Sequence, residues 1–171
     1  MTSDTTVRLD DKRSRKPRTL RYDPDAETIE RLIAEFELLG LRKAGLTAEL
    51  TPEGSRDWAL SGKLGATVVQ PCVVTLQPVT TRIDAPFERI FVENLPEAKA
   101  GEEVEMPEDD RVEPRPSVLD LAQLFAEVLA LELPAFPRAE GAELPAELTE
   151  SEEKPNPFAV LEQLKSTLKD R

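Results

Sequence analysis

Trp58-Ala59-Leu60-Ser61-Gly62-Lys63-Leu64-Gly65-Ala66-Thr67-Val68-Val69-Gln70-Pro71-Cys72-Val73-Val74-Thr75-Leu76 is the stretch whose reading decides the fold. Trp58, Leu60, Leu64, Ala66 and Val68 fall two apart with Gly62 between them, while Ser61, Lys63 and Thr67 take the other face. Alternation with period two buries one face and solvates the other, so a long half-buried strand is expected. Pro71 breaks the register, because it has no N–H for a ladder bond and suits an edge or a bulge. Val73, Val74 and Leu76 are expected to resume the apolar run. No other segment is as long and β-branched, which makes this the central element of a sheet.

Upstream, Leu46, Ala48 and Leu50 alternate with Thr47, Glu49 and Thr51, and Pro52-Glu53-Gly54-Ser55 supplies a turn. The two runs therefore form a hairpin. Downstream, residues 80–92 alternate with Ile83, Phe87 and Phe91 on one side, and Pro86 puts this strand at an edge or a bulge. Before the hairpin, Asp23 and Pro24 read as cap and first residue of a helix. Its stripe is Ile29, Leu32, Ile33, Phe36 and Leu39, and Gly40 is its terminator. After the sheet, Asp120 and Gln123 form a capping-box pair, and Leu119 with Leu124 a hydrophobic staple. They open an apolar helix that ends before Pro134 and is too short to cross a membrane. Asn156 and Pro157 open a closing helix, about 157–169, with Phe158, Leu161, Leu164 and Leu168 as its stripe.

The expected architecture is α+β: a twisted or partly closed antiparallel β-sheet covered by helices, with acidic loops at about 96–116 and 138–153 and a C-terminal helix. Residues 1–21 read as a basic flexible tail and 22–171 as a single domain. Within the tail Arg8, Lys12, Arg13, Arg15, Lys16, Arg18 and Arg21 crowd fourteen positions. Such a cluster suits RNA or another anion, and equally a solvated tail.

A net charge of −12 disfavours a general nucleic-acid-binding surface, since affinity for phosphates comes from Lys and Arg. Histidine is absent, which removes the commonest general base and metal ligand. With Cys72 the sole cysteine, no disulfide framework, redox pair or zinc site can be built within the chain. Cys72 reads as a small buried hydrophobe on its strand. The carboxylates lie in polar runs that would not shift their pKa values. No enzyme, cofactor or metal is expected. Absence of an apolar leader or spanning segment points to a cytoplasmic protein without a membrane partner.

Three ordered segments carry a resemblance. They are Val69-Gln70-Pro71-Cys72 through Leu76-Gln77-Pro78, then Asp120-Leu121 through Leu133-Pro134 with Pro137-Arg138, then Lys154-Pro155-Asn156-Pro157-Phe158 through Leu161. Together they resemble the YceD family, the large ribosomal RNA subunit accumulation proteins, over about Tyr22 to Lys165. The resemblance implies a role in synthesis, processing or stability of 23S rRNA and brings no established catalytic residue. Many members have Cys-x-x-Cys where this chain has Cys72-Val73-Val74-Thr75, so Thr75 stands in for the second cysteine and a metal or redox role does not transfer. Two partners are then expected in order: a basic large-subunit ribosomal protein or assembly intermediate met by the acidic body, or 23S rRNA held by the basic N-terminal arm. A nuclease built on clustered carboxylates ranks third.

Overall fold

The computed structural model describes residues 5–10, 15–94 and 111–143. Met1–Ala139 form one compact unit and Glu140–Arg171 a second, and the account below concerns the first. It contains β1 (Thr6–Arg8), β2 (Arg18–Tyr22), α1 (Ala26–Glu35), β3 (Gly40–Glu53) and β4 (Asp57–Pro71). After them come β5 (Pro78–Val92), β6 (Val112–Pro114), β7 (Val118–Asp120) and α2 (Leu121–Glu132). Five strands lie in the order β2-β3-β4-β5-β6, and β1 pairs with β7 in a separate two-stranded ladder. The five-stranded sheet is open and mostly antiparallel. Only β6 runs parallel to its neighbour, with Ile90 opposite Val112.

The alternation in β4 does what the sequence requires. Trp58, Leu60, Leu64, Ala66 and Val68 are each no more than 1% exposed. β4 is the middle strand, with Leu46 opposite Leu64 on one side and Ala85 opposite it on the other. Gly62 belongs to the same inner row. A Cβ there would lie 2.5 Å from Phe87 Cζ and 2.6 Å from the Thr47 carbonyl, so the Phe87 ring occupies the space that the glycine leaves. The core fills the gap between this inner face and α2, where Phe125 meets Tyr22 with ring centroids 5.9 Å apart. Asp120 caps α2, accepting from the N–H of Ala122 at 2.8 Å and of Gln123 at 3.4 Å. The Gln123 amide does not reach back but donates to Glu127, so half of the capping box forms. Leu119 and Leu124 are buried as a staple requires.

Several expectations are corrected. Within the basic stretch 1–21 the described residues are not a flexible tail: residues 6–8 and 18–22 are strands, and a boundary at 21/22 falls inside β2. Val7, Leu9 and Leu20 explain this, since all three are buried in the core. α1 begins two residues late, capped by Asp25, whose carboxylate accepts from the Thr28 N–H at 2.9 Å. It also ends early. Glu37 takes the left-handed conformation at φ 52° instead of Gly40, and Leu39 is turned outward. Val73 to Leu76 do not extend β4 but form the turn into β5, with Pro71 opposite Pro78. Residues 112–114 of the expected acidic loop form β6. Residues 95–110 and the closing helix lie outside the described residues. β5 lacks an outer neighbour before Ile90 among the described residues, where Pro86 is tolerated. No described helix is long and apolar enough to cross a membrane.

Candidate functional site

The segments 69–78 and 132–138, some sixty residues apart in the chain, meet at one end of β4. The Val73 N–H donates to the Pro137 carbonyl at 2.9 Å, and the Gln70 amide to the Pro134 carbonyl at 3.2 Å. Cys72 sits at their junction with no exposed surface. Its sulfur accepts from the N–H groups of Val74 and Thr75 at 3.4 Å each and of Ala139 at 3.3 Å. The Leu76 N–H donates to the Cys72 carbonyl at 3.0 Å, and the Cys72 N–H to that of Gln77 at 2.7 Å. The turn is thus wound around the thiol.

Those donors have an electrostatic consequence. The Thr75 side chain first, then the N–H groups of Ala139 and Thr75, hold the Cys72 thiol down from its ordinary 9.0 to about 6, against the upward push of burial. Cys72 is buried as expected, but it lies just past the end of β4 and not on the strand, and its sulfur accepts hydrogen bonds from two segments. Thr75, which replaces a cysteine found in many members of the resembled family, keeps a polar group aimed at the same sulfur.

What this end offers to solvent is apolar. Leu76 is 77% exposed and Phe136 79%, with Leu39 at 58% and Val73 at 48% beside them. Backbone bonds bring their segments to the same end of the sheet: Leu39 N–H reaches the Val69 carbonyl at 2.7 Å, Leu76 N–H the Cys72 carbonyl at 3.0 Å, and Phe136 adjoins the Pro137 whose carbonyl accepts from Val73. Leu76 holds φ at 60°, a left-handed conformation that costs a leucine about 1–2 kcal/mol. A strained residue presenting a bare apolar side chain is an observation that asks for a functional reason. Exposed Glu37 flanks this surface beside Leu38, exposed Glu132 lies at the end of α2, and Arg138 is exposed beyond Pro137.

Of the residues expected to matter, Cys72, Leu76, Pro134, Pro137 and Arg138 are brought together here. Asp120 and Leu121 are not, because they begin α2 and the junction lies at its far end, about 18 Å away along a twelve-residue helix. Asn156, Pro157, Phe158 and Leu161 lie outside the described residues, as do Lys12 and Arg13. The remaining basic positions are distributed over the fold. The Arg15 guanidinium lies 5.2 Å from the Trp58 ring centroid and donates to the carbonyls of Glu53 and Asp57. Arg21 pairs with Asp23 at 2.8 Å, and Arg18 is half-buried at the start of β2. Arg8 and Lys16 are exposed. Sequence reasoning missed Leu39 and Phe136. Phe136 carried a signal, being an aromatic between Pro134 and Pro137 in no periodic segment.

The family model for the large ribosomal RNA subunit accumulation protein YceD matches residues 60–165. Comparison with curated proteins and with solved structures returned no match.

Proposed function

The chain belongs to the YceD family of large ribosomal RNA subunit accumulation proteins, and from that premise we propose that it is a non-catalytic, cytoplasmic ribosome-assembly factor that grips a basic large-subunit ribosomal protein. A role in large-subunit rRNA accumulation comes with the membership; the partner and the mode of action are the proposal. One observation carries it: the exposed apolar side chains of Val73, Leu76 and Phe136, from two of the motif segments, with Leu39 at the same end of the sheet. Exposed apolar clusters mark protein-binding sites. A net charge of −12 selects a basic partner, and ribosomal proteins are basic. Protection of an assembling ribosomal protein would sustain the rRNA it binds.

The second reading, a free N-terminal RNA-binding arm, loses ground because residues 6–8 and 18–22 are strands and Arg15 lies over the Trp58 ring. Deleting residues 1–21 would not test it either, since the deletion removes β1 and most of β2. A direct test immobilises the full chain and offers purified large-subunit ribosomal proteins one at a time. One basic protein should bind, weakening as salt is raised through the range where the screening length falls below about 10 Å. Replacing Leu76 and Phe136 by serine should weaken that binding at least tenfold, since burying each side chain contributes roughly 1.5–3 kcal/mol. Binding that ignores both substitutions would refute the assignment of the surface. Failure of every basic ribosomal protein to bind would refute the function.

A further inference from the structure

We infer that the outer face of the sheet, around the irregularity in β3, is a docking surface for an RNA phosphate backbone. The inner face is closed by α2 and the core, and the outer face carries no helix among the described residues. Its side chains follow from the register. Arg42, Thr67 and Arg82 lie side by side across β3, β4 and β5. Beyond a row made of Gly45, Gly65 and Asp84 come Arg21, Thr47 and Lys63 across β2, β3 and β4, with Lys63 four positions from Thr67 along β4. At about 3.3 Å per residue the two cationic rows are about 13 Å apart. Between them the register shifts, so that Lys43 is extruded at φ 49° and exposed. Its carbonyl accepts from Arg82 Nη1 at 3.4 Å, which ties the extruded segment to β5.

Five cations therefore surround a glycine floor in a chain whose net charge is −12. The two carboxylates among them, Asp23 and Asp84, are already held by arginines, at 2.8 Å from Arg21 and 2.8 Å from Arg82. Lys63 lies in the field of Asp84, and among the described residues Arg42 and Lys43 have no carboxylate partner. The glycines matter because they keep the floor open. A Cβ on Gly65 would stand 2.7 Å from Arg82 Nη2, and one on Gly45 3.0 Å from Asp23 Oδ1. The result is a shallow concavity of about 450 Å³ lined by Arg21, Lys43 and Lys63 together with Asp23 and Asp84, with Arg42 and Arg82 in the row beyond it. Glu49 and Glu88, opposite each other across Ser61, bound it at one end.

The chemistry of this face selects the ligand class. Guanidinium and ammonium groups on an open surface neutralise phosphates. Tyr22, Trp58, Phe87 and Phe91 are all buried, so among the described residues no aromatic stands on this face for a base to stack on. Recognition is thus by backbone charge and insensitive to base sequence. This surface is separate from the apolar end at Cys72, and the inference stands or falls apart from the protein-contact reading. It replaces the N-terminal stretch as the place where RNA is touched.

The test is fluorescence anisotropy of the full chain with a labelled single-stranded RNA and, separately, a labelled RNA hairpin, each over a range of salt. Binding is expected with a slope of log affinity against log salt near −3 on the single strand, from about four phosphate contacts at roughly 0.7 each. Arg42→Gln, Lys43→Gln and Lys63→Gln together should reduce affinity at least tenfold and flatten the slope by roughly 2. Arg8→Gln with Lys16→Gln should change it less than twofold. The serine variants of Leu76 and Phe136 should bind RNA like the parent, which keeps this outcome distinct from the protein-contact test. Absence of RNA binding, or RNA binding indifferent to the triple glutamine variant, would overturn the inference. So would a triple variant that loses the ribosomal protein while its RNA binding is unchanged, since the face would then belong to a protein.

Discussion

Replacing Leu76 by glycine separates folding from function at the Cys72 turn. Three terms set the change in stability. Relief of the left-handed backbone at φ 60° returns about 1–2 kcal/mol. The greater freedom of glycine in the unfolded chain takes back about 0.5–1 kcal/mol. The side chain is 77% exposed, so only a quarter of its surface is buried, and losing that costs about 0.5 kcal/mol on a scale of roughly 2 for a whole leucine. The sum lies within about 1 kcal/mol of zero. Truncating a buried leucine usually costs 2–5 kcal/mol, so the contrast is large enough to measure. Urea unfolding, with the slope checked for constancy, gives the stability. Binding to the basic ribosomal protein should fall tenfold or more in the same variant. A loss of more than 2 kcal/mol would show that Leu76 serves the fold, and the argument from a strained, bare side chain would collapse.

Gly62→Ala should destabilise the chain by about 1–3 kcal/mol, because the new methyl meets the Thr47 backbone carbonyl as well as the Phe87 ring; a melting temperature equal to the parent's would contradict the packing. The Cys72 thiol has a folded pKa below its unfolded value, so its stabilising contribution is complete above pH 9.0 and is lost as pH falls through about 6. Thermal melts of the parent against Cys72→Ala should therefore diverge as pH rises from 6 to 9, and parallel curves would show that the sulfur is not held as a thiolate. Asp120→Ala removes the cap of α2 and should cost about 0.5–2 kcal/mol in chemical denaturation; no change would mean the staple alone fixes the helix start. Elemental analysis should find no stoichiometric zinc, since tight structural zinc normally takes four N or S ligands and the chain has one thiol and no imidazole; one zinc per chain surviving dialysis would overturn this.

The alternation of Trp58, Leu60, Leu64, Ala66 and Val68 was by itself sufficient to identify the central strand, because a half-buried strand has no other way to hide five apolar side chains. The hairpin itself and the Asp120 start of α2 were equally legible, though the turn sits at residues 54–56, because Pro52 and Glu53 pair with Trp58 and Asp57 within the ladder. Sequence also revealed the family through segments whose spacing survives without structure. Other features depended on partners far away in the chain. Val7 and Leu9 look like tail residues until β7 and the Trp58 indole, which donates to the Leu9 carbonyl at 3.2 Å, supply the other half of their environment. The end of β4 at Pro71 was overrun because Val73, Val74 and Leu76 have strand propensity, and the Pro137 carbonyl and the Cys72 sulfur overrode it with a turn. The cationic face was invisible for the same reason. Arg21, Arg42, Lys63 and Arg82 come from four strands, and only the register of the folded sheet sets them side by side.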